Sequence, residues 1–444
     1  MNIQIAIPIN KIMINQRFYE FTQSDLDITI HKNQLCSYFN YELDFSRFFK
    51  IDEIHEAYER DQQLTQIHKL LFLQNQADQL KFQSELADIE QFIQPNSVFI
   101  KQIGKQSKGQ ALVIGLHGGG GCESEINDAA FQKMQWYYCK ALEEYNQLNQ
   151  QFNFLYLALR GLSNTWDMHC QDQSEDILRK LILFCSTKFD CSQNRVILTG
   201  FSAGGDGAHF LGSYIPDLFC FVNASAGHHN WCSQLQRHSV MSMYQVGELD
   251  HLYSRQQVTV QRACEADFLR SIFGGFRSQT AVHAAIGHNF NDFELESSIF
   301  SEVKLQNGQL TGKNIYKLCC QPVIYGLCQQ RKVEPELVII DCSTKFNKNQ
   351  LDFVIQYNCV VSTEDVGLIL VIKKIDDDIF KVDSVGQNFC LAIMVKQQFD
   401  AVQIIMNGKS KFLECQQNTY RERVLKKKMD HNFDFEFMVE IKSE

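Results

Sequence analysis

Residues 197–207 read Ile-Leu-Thr-Gly-Phe-Ser-Ala-Gly-Gly-Asp-Gly: an apolar run that stops at a G-x-S-x-G pentapeptide, Gly200-Phe201-Ser202-Ala203-Gly204. This pattern constrains the fold because it needs a strand feeding directly into a helix. The two glycines allow the sharp turn, and the serine is left at its tip with Oγ exposed and a helix N-terminus beneath it. The surrounding chain agrees. Apolar strand-like runs recur at 97–103, 111–116, 153–159, 195–199, 220–226, 240–246 and 281–286. Helical patterns fall between them at 128–147, 172–188, 203–214 and 254–273. Alternation of this kind predicts a mostly parallel sheet with helices on both faces.

Several of these runs end in residues that carry chemistry. The run 111–116 ends in His117-Gly118-Gly119-Gly120-Gly121. Four glycines raise the entropy cost of ordering a loop, so the backbone must be needed close to something. Acyl-transfer chemistry supplies the need, in N–H donors aimed at a developing oxyanion. Gly119 or Gly120, together with Ala203, are the expected donors. A phosphate loop would require Gly-Lys-Ser/Thr or G-x-G-x-x-G with a following acid, and neither is present.

The run 240–246 is followed by Gly247-Glu248-Leu249-Asp250, and 281–286 by Gly287-His288-Asn289-Phe290. Ser202, Asp250 and His288 therefore appear in the order nucleophile, acid, base. Serine is a weak nucleophile at its free pKa, and an imidazole can take its proton and return it to the leaving group. A carboxylate on the other ring nitrogen fixes the tautomer. Glu248 is the alternative acid. Asp206, four residues past Ser202, reads as a first-turn carboxylate favoured by the helix dipole. His117 reads as shaping the glycine loop. Trp166 and His228, each past a strand end, are the candidate substrate-contacting residues, a packed surface aromatic being the equal alternative for Trp166; His229 and Trp231 lie close by in sequence.

These motifs resemble the α/β-hydrolase superfamily, with its dienelactone-hydrolase, esterase and serine-peptidase branches, over Leu112 to about Phe300. The strongest similarity is to a group of hydrolases carrying H-G-G-G-G, N-T-W, G-[YF]-S-A-G-G-D-G, Q-V-G-x-x-D and G-H. These correspond here to His117 to Gly121, Asn164 to Trp166, Gly200 to Gly207, Gln245 to Asp250 and Gly287-His288. The resemblance implies a β-rich C-terminal extension, introduced by Arg331-Lys332-Val333-Glu334-Pro335. Asn289-Phe290 departs from the bulky aromatic expected directly after the histidine, which touches pocket shape and not the triad.

The chain has 444 residues, room for one large core and a second domain. The stretch from about Asn33 to Ile93 is Gln-rich, and periodicity in Ile54-His-Glu-Ala-Tyr58 and Ile67-His-Lys-Leu-Leu-Phe72 predicts two or three helices there, within an N-terminal helical segment of residues 1–95. Residues 96–325 form the expected catalytic domain. Residues 326–444 change character: about seven short strand candidates, with Asp376-Asp377-Asp378 and Asn407-Gly408 as turns, predict a β-sandwich-like domain. The fold class expected is α/β, an α/β-hydrolase sheet with these two additions.

A net charge of −10 argues against a nucleic-acid or anionic-membrane surface. No run reaches the ~18 apolar residues of a membrane helix, and the N-terminus lacks the basic and hydrophobic regions of a signal peptide. The 16 cysteines include no C-x-x-C pair and many sit in apolar runs, as expected of reduced thiols in a cytoplasmic protein. No metal or cofactor is expected. The expected activity is that of a metal-independent serine hydrolase acting on a small-molecule ester or thioester through an acyl-enzyme. A serine peptidase of the same fold, or an inactive scaffold that binds a protein partner through the β domain, are the alternatives.

Overall fold

The computed structural model describes residues 11–14, 17–20, 98–135, 152–171, 173–228, 234–283, 287–288, 304–306, 309–311, 322–323, 325–331, 335–342, 354–363, 367–387, 389–417, 435 and 437–442, with single positions between 139 and 146. The helices expected between 33 and 93 lie outside the described residues, as do His229, Trp231 and Asn289-Phe290. Two short antiparallel hairpins are described apart from the main sheets, β1 (Lys11–Ile14) with β2 (Arg17–Glu20) and β10 (Lys304–Gln306) with β11 (Gln309–Thr311).

A seven-stranded sheet forms the centre: β3 (Val98–Ile103), β4 (Gln110–Leu116), β5 (Phe154–Leu159), β6 (Cys191–Phe201), β7 (Phe221–Ser225), β8 (Met241–Gly247) and β9 (Arg277–His283), in the order β3-β5-β4-β6-β7-β8-β9. Every pairing from β5 to β9 is parallel. β3 runs antiparallel on the edge beside β5, so the Gly104–Gly109 stretch is a crossover loop and not a hairpin into β4. The inner strands β4 to β8 are buried along almost their whole length, which is why they read as unbroken apolar runs instead of alternating ones.

Alternation nevertheless sorts their side chains to two cores. Val113, Tyr156, Ile197, Phe221 and Met243 face one layer, with Phe131 of the helix Ser124–Lys133. Leu112, Leu155, Leu198, Val222 and Tyr244 face the other, with Leu181 of the helix Ser174–Phe189, Phe210 of the helix Ala203–Tyr214 and Ala266 of the helix Arg255–Phe273. Helices thus cover both faces.

Beyond residue 336 two five-stranded sheets stack around a separate core. One has the order β12 (Leu337–Asp341), β15 (Ile369–Asp376), β16 (Ile379–Val385), β18 (Val402–Met406), β19 (Lys409–Leu413). The other has β13 (Val354–Gln356), β14 (Cys359–Thr363), β17 (Phe389–Val395), β21 (Phe437–Lys442), β20 (Gln416–Gln417). The sequence suggested about seven strands here; β14, β19 and β20 are additional. This β region meets the central domain through a small apolar cluster, in which Leu337 and Ile339 pack with Leu269 and Phe276. Buried polar contacts reinforce it, among them Arg331 Nη2 donating to Asn194 Oδ1 at 3.1 Å, Arg331 Nη1 donating to Asp217 O, and Gln356 Nε2 donating to Gln236 O at 3.5 Å. Among the described residues no helix is long and apolar enough to cross a membrane.

Candidate active site

The parallel strands end on one side of the sheet, and the residues singled out in the sequence collect there. β6 runs straight into the helix Ala203–Tyr214, and Ser202 stands between them at φ 57°, ψ −121°. A non-glycine residue at such an angle costs about 1–3 kcal/mol and persists only where its surroundings enforce it. Here the Ser202 N–H donates to Ser225 O at 2.9 Å, tying the turn to β7. Gly204 makes the tightness possible: a Cβ there would collide with Leu116 O at the end of β4.

The loop after β8 carries Asp250, whose side chain is fully buried. His288 Nδ1 lies 2.8 Å from Asp250 Oδ2, and its Nε2 lies 3.2 Å from Ser202 Oγ. Both ring nitrogens are thereby used, leaving no place on the ring for Glu248. The proton between Nδ1 and a carboxylate leaves Nε2 as the acceptor toward the serine. The Phe201 ring packs on the imidazole with centroids 4.8 Å apart, which fixes the plane of His288.

The glycine loop lies alongside. Gly119, Gly120 and Gly121 all have positive φ, at 103°, 82° and 58°, which only glycine adopts freely in succession. The Gly120 N–H, expected as an oxyanion donor, instead donates to the buried Asn127 Oδ1 at 2.7 Å. That correction leaves Gly119 and Ala203, whose N–H groups no acceptor among the described residues takes. Gly118 brings the loop onto the serine, since a Cβ on it would stand 3.1 Å from Ser202 Cβ. His117 holds the base of the loop: its Nε2 accepts the Gly161 N–H at 2.9 Å, so Nδ1 carries the proton and donates to Gly118 O at 2.6 Å. Burial holds this imidazole well below its ordinary pKa. His169 beside it, also pushed down by burial to about 4, meets His117 O through Nε2 at 3.0 Å.

Trp166 packs against Gly120 and Gly121 and meets two further rings, His228 at 4.9 Å and Tyr253 at 5.7 Å between centroids. Tyr253 was invisible to sequence reasoning; it follows the acid loop at φ 54° and carries the Arg255 guanidinium 4.9 Å over its ring. His228 stands on Asp206, which is more than a dipole-favoured carboxylate. Its Oδ1 accepts the His228 N–H at 2.9 Å and, fully buried, Arg262 Nη2–H at 3.0 Å. His228 Nδ1 also lies 2.9 Å from Asp206 Oδ2. Among the described residues no cluster of three or more His, Cys, Asp or Glu is arranged to hold a metal ion.

A parallel sheet with one antiparallel edge strand, a serine on a strand-to-helix elbow at its C-terminal side, and an acid and a histidine from later loops complete the pattern. The fold is that of the α/β-hydrolases.

No family model matches the chain, and no curated protein does. Solved structures do match. One is an esterase, PE8, with 15% identity and a TM-score of 0.32, covering 45% of this chain and 95% of that one. A thermostable esterase follows at 17% identity and TM-score 0.34, covering 53% of this chain and 59% of that one. The enterobactin esterase of Shigella flexneri has 15% identity and TM-score 0.32, covering 43% and 50%. The chain thus spans between half and three fifths of the length of the last two proteins. The fold assignment rests on the strand order and the elbow.

Proposed function

We propose that this α/β-hydrolase-fold protein is a metal-independent serine hydrolase that cleaves a small-molecule ester or thioester. One observation carries the reading: the hydrogen-bonded relay from Ser202 through His288 to Asp250, with the serine held on a strained elbow. His288 Nε2 takes the Oγ proton as Oγ bonds to the acyl carbon. The resulting oxyanion accepts hydrogen bonds from the Ala203 and Gly119 N–H groups, each such donor being worth about 2.7–4 kcal/mol in comparable sites. His288 then protonates the departing oxygen or sulfur, leaving an acyl group on Ser202. Water, deprotonated by the same imidazole, releases the acid and restores the serine. Asp250 keeps its negative charge throughout and stabilises the imidazolium. The 3.2 Å separation of Nε2 and Oγ is within the range that tightens once substrate is bound.

In this reading residues 96–325 hold the chemistry, Trp166 and His228 line the substrate side, and residues 326–444 serve packing or a partner. A cytosolic setting fits the buried free thiols, among them Cys139 and Cys264, both raised by burial to about 12 and so inert.

The test is labelling with a fluorophosphonate probe, followed by comparison of p-nitrophenyl esters with aminoacyl amides. The expected result is labelling that Ser202→Ala abolishes and that chelator dialysis leaves unchanged, with esters turned over faster. Faster amide cleavage would make it a peptidase. A folded protein that takes no probe would make it a scaffold.

A further inference from the structure

We infer that Asn127 is the positioning residue of the oxyanion loop: by binding the Gly120 N–H it fixes the glycine backbone so that the Gly119 N–H is the one presented to substrate. The inference rests on the hydrolase reading above and deepens it. Asn127 lies near the start of the helix Ser124–Lys133 and is completely buried. Its amide is spent in both directions. Oδ1 accepts the Gly120 N–H at 2.7 Å, while Nδ2 donates to Asn164 Oδ1 at 3.1 Å and to Cys122 O at 3.4 Å. Flipping the amide would set an NH2 against an N–H and an oxygen against two oxygens, so the network itself fixes the orientation.

The network closes on itself. Arg160 Nη2 donates to Asn164 Oδ1 at 2.6 Å, and Arg160 Nε to Asp128 Oδ1 at 2.8 Å, one residue along the helix from Asn127. The loops after β4 and after β5 are therefore bolted to one helix turn by Asn127 and by the Arg160–Asp128 pair, and Asn127 alone among these reaches the Gly120 N–H. The lever is short: at one end Gly118 leaves no room for a side chain beside Ser202, and at the other Gly120 is held by Asn127.

Glycines at φ 103° and 82° have no side chain to choose a conformation for them, so an outside anchor must do it. Oxyanion donors act only when they stand about 2.7–3.1 Å from the developing charge, and a shift of 1 Å can cost about 100-fold. An anchor felt mainly in the transition state should alter kcat and leave KM alone.

The experiment uses the full-length chain with Asn127→Ala and Asn127→Asp, the latter keeping an oxygen for the Gly120 N–H and, protonated in so buried a place, one O–H donor toward Asn164 Oδ1 or Cys122 O. For Asn127→Ala the expected result is a kcat loss of about 10–100-fold with KM within about threefold, and Asn127→Asp should recover most of the loss. Hydrogen exchange of the 117–122 peptide supplies a readout independent of turnover: it should quicken in Asn127→Ala and return toward wild type in Asn127→Asp. A kcat within threefold of wild type, an equal loss in both variants, or unchanged exchange in Asn127→Ala overturns the inference. Wild-type protein that takes no fluorophosphonate overturns the hydrolase reading instead, and the exchange arm then judges the anchor alone.

Discussion

The buried Asp206–Arg262 pair gives the sharpest stability prediction. Both side chains are about 1% exposed, and the carboxylate accepts Nη2 of Arg262 at 3.0 Å and the His228 N–H at 2.9 Å. Asp206→Asn keeps the volume and removes the charge, leaving a guanidinium buried against an amide. Removing one partner of such a pair costs about 3–5 kcal/mol, because the other charge stays out of water. Asp206→Asn/Arg262→Met removes both charges and fills the space with a side chain of similar reach. Such replacements are often neutral, so most of the loss should return, with a coupling of at least about 1.5 kcal/mol. For a domain of this size, about 1 kcal/mol moves the midpoint by roughly 2–4 °C, so the single variant should melt about 6–20 °C lower. Differential scanning calorimetry of the wild type, both single variants and the double variant measures this. A single variant within 3 °C of wild type, or a double variant showing the sum of the two losses, refutes the reasoning.

Three other outcomes follow from the same structure. Burial lowers His169 to about 4 and His283 to about 3, so both stay neutral when folded while the unfolded chain takes up protons below about 6.5. Their stabilisation is complete above pH 6.5 and is lost as pH falls toward 4 and then 3; His169→Gln should flatten the pH 4–6.5 slope of the melting temperature. Gly204→Ala places a methyl group against the backbone oxygens of Leu116 and His117, so it should cost several kcal/mol and abolish probe labelling even in the fraction that folds, read by thermal melting and labelling together. Ile339→Ala opens a hole in the cluster between the β region and the helix Arg255–Phe273; a loss of about 2–5 kcal/mol in thermal or urea unfolding is expected, with labelling at 25 °C retained.

Much of the central fold and of the site was legible because it depends on short-range patterns. β4, β5 and β8 are buried on both faces, so their apolar runs stand out with near-correct limits. Ser202, Asp250 and His288 each follow such a run, which is what brings them to the same end of the sheet. The polar edge strands were harder. β9 begins at Arg277, where its first residues are exposed, so only its apolar end from 281 was visible. β19, Lys409-Ser-Lys-Phe-Leu413, lies on an open edge and carries almost no buried residue, although the Asn407-Gly408 turn before it was correctly recognised.

Long-range polar partnerships were hidden for a different reason. Asn127 looks like any helix residue until the helix folds back beside Gly120, and Arg262 finds Asp206 across 56 residues. The first of these occupies the Gly120 N–H, one of the two glycine donors the sequence left open. The Asp206 reading stopped short on the second, since a helix-dipole argument sees only the helix it belongs to.

The central claim is that Ser202 forms a covalent acyl intermediate. Rapid-quench mass spectrometry during turnover of a slowly deacylated p-nitrophenyl ester tests it most directly. A burst of about one p-nitrophenolate per protein is expected, with a mass increase equal to the acyl group on the peptide containing Ser202, absent in Ser202→Ala. Turnover with no adduct on that peptide, or an adduct that persists in Ser202→Ala, would contradict it.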